Sequence, residues 1–309
     1  MTEQFRDPAF LREGIKPGPL KGDEYGEGSY TIVANLEGLP KSVREKVPGG
    51  YVVKQYKNEK LSPVGFLFKF DPDSTIEAES VLELRKGFER ERGRKPTGDE
   101  LMEYIAQQDL GDLQPPKDKA EVERILEVWS LPGMAKKLQA RQRLVKDYFG
   151  KELPDFVVPS QFFVGTDEDG VGHIYEVQNK ISPDALKIEE NLYTPVDDED
   201  EEGKRIIVEE IEQLAEKVRI LYKERLPDIK QELGIFIRLA EQLPDREGWF
   251  IDIAYGNIVF TEEGLRYIDT NHIDPLRELQ QQEFSDVYSA AKAAVDMFIQ
   301  SLKNLFARL

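Results

Sequence analysis

The stretch Trp249-Phe250-Ile251-Asp252-Ile253-Ala254-Tyr255-Gly256-Asn257-Ile258-Val259-Phe260 constrains this chain more than any other. It is followed closely by Gly264-Leu265-Arg266-Tyr267-Ile268-Asp269-Thr270-Asn271. The pattern is a loop carrying an Asp and, five positions on, an Asn, then a β-hairpin, then a second Asp leaving an apolar strand. Asp and Asn are common turn and cap residues, so any one of them alone carries little. In this order they offer oxygen ligands for a hard cation and a carboxylate able to accept a proton.

Composition narrows the classes. The 309 residues suffice for two modest lobes or one large domain. Hydrophobic residues make up 39% and aromatics 10%, as in a folded protein rather than a disordered one. With 42 basic and 60 acidic side chains the net charge is −18, which argues against general binding of nucleic acid or of anionic membranes. The chain has no cysteine, which excludes disulfides, thiolate catalysis and cysteine zinc sites. No apolar run approaches the ~18 residues of a membrane helix, and the start Met1-Thr2-Glu3-Gln4-Phe5-Arg6 does not read as a signal peptide. A cytoplasmic protein is the expectation.

Along the chain, residues 1–22 read as an irregular arm with three prolines. Strands are expected at Ser29–Val33, Tyr51–Tyr56 and Val64–Phe70, and helices over 75–150 with interruptions near Pro96 and Pro115-Pro116. Two more β runs follow, Phe156–Val164 and Gly172–Val177, joined by the turn Thr166-Asp167-Glu168-Asp169-Gly170, which lacks calcium-loop register. The acidic block Asp197–Glu202 reads as a solvated linker. Helices are then expected from Lys204 to Leu243 with a break at Leu226-Pro227, and a last one with Phe284, Tyr288, Ala291, Val295, Phe298, Leu302 and Leu305 on one core-facing stripe.

Two further motifs precede the Asp252 segment. Gly26-Glu27-Gly28-Ser29-Tyr30-Thr31-Ile32-Val33 enters the first strand, and small residues there let backbone N–H groups approach phosphate oxygens. A plain hairpin turn would use the same residues. Val52-Val53-Lys54 sets a lysine in an apolar strand, where alternation sends it to one face of a sheet.

Taken in order, glycine loop, strand lysine, helix, two strands, helices, Asp-x4-Asn, hairpin and Asp resemble the protein-kinase-like superfamily, in its atypical bacterial, aminoglycoside-phosphotransferase-like branch. The resemblance implies an α+β, bilobal fold with a small antiparallel-sheet N-lobe and a mostly helical, shortened C-lobe. The lobes would be 1–177, with a helical insertion at about 71–130, and 178–309. It implies ATP and Mg2+ as cofactors. Gly26, Gly28 and Ser29 would cover the phosphates and Lys54 would pair with them. Glu176 and Val177, in Tyr175-Glu176-Val177-Gln178, would form a hinge whose backbone holds the adenine. Asn257 and Asp269 would bind magnesium, and Asp252 would orient a hydroxyl and accept its proton.

The departures are Thr31 for the third glycine, Phe250-Ile251 for the His-Arg before the catalytic Asp, and Ile268-Asp269-Thr270 for Asp-Phe-Gly. The helix before Phe156 offers Gln142 where the family has the Glu that orients its lysine, with Glu77, Glu79 and Glu83 as other candidates. Only 38 residues follow Asn271, too few for a broad peptide-docking platform. The expected acceptor is a small-molecule hydroxyl or a restricted protein target. The alternatives are a pseudokinase that binds nucleotide or scaffolds without transfer, nucleotidyl rather than phosphoryl transfer, and an unrelated α+β interaction protein. His173 and His272 have no partner set for a triad or a zinc site.

Overall fold

The computed structural model describes residues 31–35, 51–56, 58, 61, 75–108, 116–166, 171–182, 184–188, 201–247, 249–251, 257–268, 272–273 and 285–309. They form a mixed α+β structure in which small antiparallel sheets accompany seven described helices. The chain divides into two compact units, one of residues 1–139 and 160–179, the other of 140–159 and 180–309.

The first unit holds strands β1 (Thr31–Asn35), β2 (Tyr51–Tyr56), β3 (Ser160–Thr166) and β4 (Gly172–Asn179) in the order β1-β2-β4-β3, every pair antiparallel. Its helices are α1 (Ile76–Arg92), α2 (Gly98–Gln107), α3 (Lys119–Val128) and the first half of α4 (Leu131–Phe149). Local chemistry sets their ends. Thr75 accepts the Ala78 N–H at 3.1 Å to begin α1, and Gly93, at φ 67°, ends it by donating its N–H to Glu89 O. Thr97 and Glu100 cap α2 reciprocally, and the Asp118 carboxylate receives the Glu121 N–H at the start of α3. Leu101, Tyr104 and Ile105 then recur at helical spacing and meet Phe88, whose ring lies edge-on to Tyr104 at 5.5 Å. Val122, Ile125, Trp129, Leu138, Tyr56 and Ile174 complete this core.

The second unit is built on α5 (Glu201–Leu221), α6 (Leu226–Glu247) and α7 (Ser285–Arg308). A 3-10 turn at Lys223–Arg225 separates α5 from α6, so the break comes just before Leu226, and Pro227 sits in the first turn, where its missing N–H costs nothing. Of the core-facing stripe expected in α7, Val295, Phe298, Leu302 and Leu305 are buried, with Ile299 beside them, while the side chains of Phe284, Tyr288 and Ala291 lie outside those described. The segment 140–159, read from sequence as part of the N-terminal lobe, belongs to this unit, because Val145, Phe149, Leu153, Phe156 and Val157 lie in its core. The expected strand at Phe156–Val158 is reduced to a single parallel bridge from Val157 to Tyr267. Glu201 and Glu202, expected in a linker, open α5; the rest of the acidic block, the N-terminal arm, the glycine loop and Val64–Phe70 lie outside the described residues. Among the described residues no helix is long and apolar enough to cross a membrane.

Candidate functional site

In the first unit, alternation along β2 buries Val53 on one face and turns Lys54 and Tyr56 to the other. The β2–β4 register places Lys54 opposite Glu176, and the β3–β4 register places Phe162 on Glu176's other side. Residues opposite one another in a sheet have Cβ atoms about 5 Å apart, so the register alone makes these two side chains neighbours. Lys54 Nζ stands 3.6 Å from Glu176 Oε2, with the side chains 11% and 2% exposed. The same oxygen accepts the Tyr56 hydroxyl at 3.1 Å. One row along the sheet, Gln178 lies opposite both Val52 and Ser160, and Gln178 and Ser160 are buried polar groups.

Glu176 and Val177, which the resemblance places at a hinge, fall within a strand. Glu176 and Val177 are interior residues of β4, whose ladders run to Asn179 on the β2 side and to Gln178 on the β3 side. Their backbone groups are committed to neighbouring strands, and a strand paired on both edges has none to offer a base. What β4 contributes is the Glu176 side chain, an acid beside Lys54 that sequence reasoning sought elsewhere. The other candidates have different surroundings. Gln142 Nε2 donates to Val158 O at 3.4 Å, Glu83 pairs with Lys86 at the surface, and Glu77 and Glu79 occupy the first turn of α1, where the helix dipole favours acids. The signal for Glu176 was present in the sequence: a carboxylate inside the apolar run Ile174-Tyr175-Glu176-Val177 must find a buried partner.

In the second unit, two short ladders frame the Asp252 segment. Strand β6 (Phe250–Ile251) pairs with β9 (His272–Ile273), setting Ile251 opposite His272. Strand β7 (Ile258–Thr261) pairs with β8 (Gly264–Tyr267), and β5 (Leu186–Lys187) adds to the far edge of β7. Beyond the last β7–β8 pair, Ile268 N–H donates to Asn257 O at 2.8 Å, and Asn257 is buried. Tyr267 N–H donates to Phe156 O and its carbonyl accepts the Val158 N–H, which fixes β8 from its other side. Asp252 follows Ile251 and Asp269 follows Ile268 in sequence, but both lie outside the described residues, as do Gly26, Gly28 and Ser29.

Of the expected site residues, Lys54, Glu176, Val177 and Asn257 are therefore described, and only Lys54 and Glu176 are paired with each other. Among the described residues no three His, Asp or Glu side chains gather to hold a metal. His173 sits in β4 with Nδ1 3.2 Å from Gln55 Nε2 and its ring edge-on to Tyr175, a packing role. The chain matches no established family, no curated protein and no solved structure.

Proposed function

We propose that this chain is an ATP- and Mg2+-dependent phosphotransferase of protein-kinase-like architecture, acting on a hydroxyl of a small molecule or of a restricted protein target. The observation that carries the reading is the pair of ladders around the Asp252 segment. Ile251, which precedes Asp252 in sequence, pairs with His272, and Asn257 pairs with Ile268, which precedes Asp269. The strand order β1-β2-β4-β3, with the lysine strand in the sheet interior, supports it.

The donor set suits the ligands. A buried ammonium attracts a polyphosphate, and an amide oxygen with a carboxylate is a hard-cation set. Magnesium, when bound, offsets the charge on the phosphate oxygens. Lys54 would draw the α- and β-phosphates, Asn257 and Asp269 would hold the cation, and Asp252 would orient the acceptor hydroxyl and take its proton. The saturated backbone of β4 favours a second reading, a pseudokinase without a backbone hinge for the base.

Calorimetric titration with ATP, with and without magnesium, separates these. Magnesium-dependent binding that disappears in Asp269→Ala supports the phosphotransferase; binding indifferent to magnesium and to the substitution supports the pseudokinase. Absence of binding to the folded protein removes the phosphotransferase and the nucleotide-binding pseudokinase, leaving a scaffold or an unrelated interaction protein.

A further inference from the structure

The first unit keeps an ion pair where an apolar pair would pack. Lys54 and Glu176 face each other across adjacent strands of one sheet, nearly out of water, with Phe162 on the far side of Glu176. Tyr56, two residues beyond Lys54, and Ile174, two before Glu176, belong to the unit's hydrophobic core, and the Tyr56 ring is 6.2 Å from that of Phe162. On the other side of the pair the sheet face turns polar, with Gln178 and Ser160 buried in the next row. Withdrawing two charges from water is costly, and well-packed apolar replacements are often as stable. Stability is therefore a poor reason for this pair.

The distances show how the pair is arranged. At 3.6 Å the ammonium is attracted to Glu176 by charge but is beyond ordinary hydrogen-bond reach. The Tyr56 hydroxyl donates to the facing oxygen at 3.1 Å and so fixes the carboxylate. Strand register holds all three residues, and low dielectric around them strengthens the attraction.

We infer that Glu176, oriented by Tyr56, is the positioning residue of the phosphate-binding lysine, a strand-borne carboxylate in the role that the sequence resemblance assigns to a helix. This rests on the phosphotransferase reading and names the group that readies Lys54 for a nucleoside polyphosphate. The carboxylate holds the Lys54 ammonium by charge across the strands, and the incoming phosphate oxygens then share the ammonium with it. The competing explanation is purely architectural: a cross-strand ion pair also pins register, because a one-residue slip would turn Lys54 and Glu176 to opposite faces.

The test is calorimetric titration of the full chain with magnesium-ATP and, separately, with adenosine, using wild type, Glu176→Gln and Tyr56→Phe. The amide conserves shape and register while removing the charge. The expected result is a roughly 10- to 100-fold loss of magnesium-ATP affinity in Glu176→Gln and a smaller loss in Tyr56→Phe, with adenosine affinity unchanged. Lys54→Met should show the same selective loss, and Glu176→Gln should add little to it in the double variant. Equal affinities in wild type and the variants, or losses shared equally by ATP and adenosine, overturn the inference and leave the phosphotransferase reading standing. If wild type itself binds no magnesium-ATP, both fall together. Should Glu176→Gln fail to fold, Tyr56→Phe decides by the same ATP-against-adenosine comparison.

Discussion

Ile268 donates its backbone N–H to the carbonyl of Asn257, 2.8 Å away, one step past the last residue pair of the β7–β8 hairpin. It joins one candidate metal ligand, Asn257, to the residue that precedes the other, Asp269, in sequence. Because it is made by backbone groups, it survives substitution of the Asn257 side chain. Asn257→Ala should therefore keep the hairpin, with a stability loss of about 1–3 kcal/mol from its burial, yet lose the magnesium-dependent part of its ATP affinity. Calorimetry with and without the cation reads the difference, and an undiminished magnesium effect would remove Asn257 from the site.

Asp252 is assigned the proton-accepting role, so its removal should strike turnover and spare nucleotide binding. Asp252→Ala is expected to lower kcat by ~10²–10⁴ with magnesium-ATP affinity changed less than about threefold. Once an acceptor hydroxyl has been found, single-turnover phosphoryl transfer measures the first and calorimetry the second. Full activity in the variant would exclude Asp252 as the base.

The hairpin tip depends on Gly264, whose φ of 120° is open to glycine and to few other residues. A Cβ there would collide with the Glu232 carboxylate, which accepts the Leu265 N–H at 2.7 Å. Gly264→Ala combines backbone strain with loss of that contact and should cost more than ~1 kcal/mol. Urea denaturation gives the value, and an unchanged midpoint would show that the tip relaxes freely.

Phe156 lies in a cluster of rings, 5.0 Å from Phe149, 5.1 Å from Phe236 and stacked 5.7 Å from Tyr267. Phe156→Ala should cost about 3–5 kcal/mol through the cavity it leaves. Since Phe156 O also accepts the Tyr267 N–H, the hairpin should loosen with it, visible as faster amide exchange in β8.

Arg94 and then the Thr97 N–H hydrogen-bond Glu100 and pull its carboxyl from an ordinary 4.5 down to about 2. The folded value lies below the unfolded one, so the contact's contribution is complete above about pH 4.5 and fades as pH falls toward 2. The group is at the surface, where salt screens the charge part of the effect. NMR titration should place the Glu100 carboxyl lowest at low ionic strength, and Arg94→Ala should move it back up toward the ordinary value.

Local features were legible in the sequence. The 3.6-residue spacing of Val295, Phe298, Leu302 and Leu305 announces a core-facing helix, and all four are buried. The Asp252-to-Asp269 pattern implied a hairpin, and β7 and β8 form one. What stayed hidden depends on distant pairing. Nothing near Glu176 in sequence says that its strand is paired on both edges, which is why the resemblance places a hinge at Glu176 and Val177. Phe156-Val157-Val158 has the composition of a strand, but its burial among the helices of the second unit prevailed over β propensity.

Tyr56 and Glu176, joined by a hydrogen bond, are 120 residues apart in the chain, and each compact unit is assembled from separate stretches. On the ribosome the lysine strand would emerge long before its carboxylate partner. The first unit would wait for residue 179 to gain its two remaining strands, while 140–159 must be set aside for a core still unsynthesised. Such a chain can complete its N-terminal unit only after residues 140–159 of the other unit have been made, and the long loop to be closed makes slow, late assembly of that unit the expected kinetics. A fragment ending at residue 139 would carry β1 and β2 with an open edge where β4 belongs, and it should aggregate rather than fold.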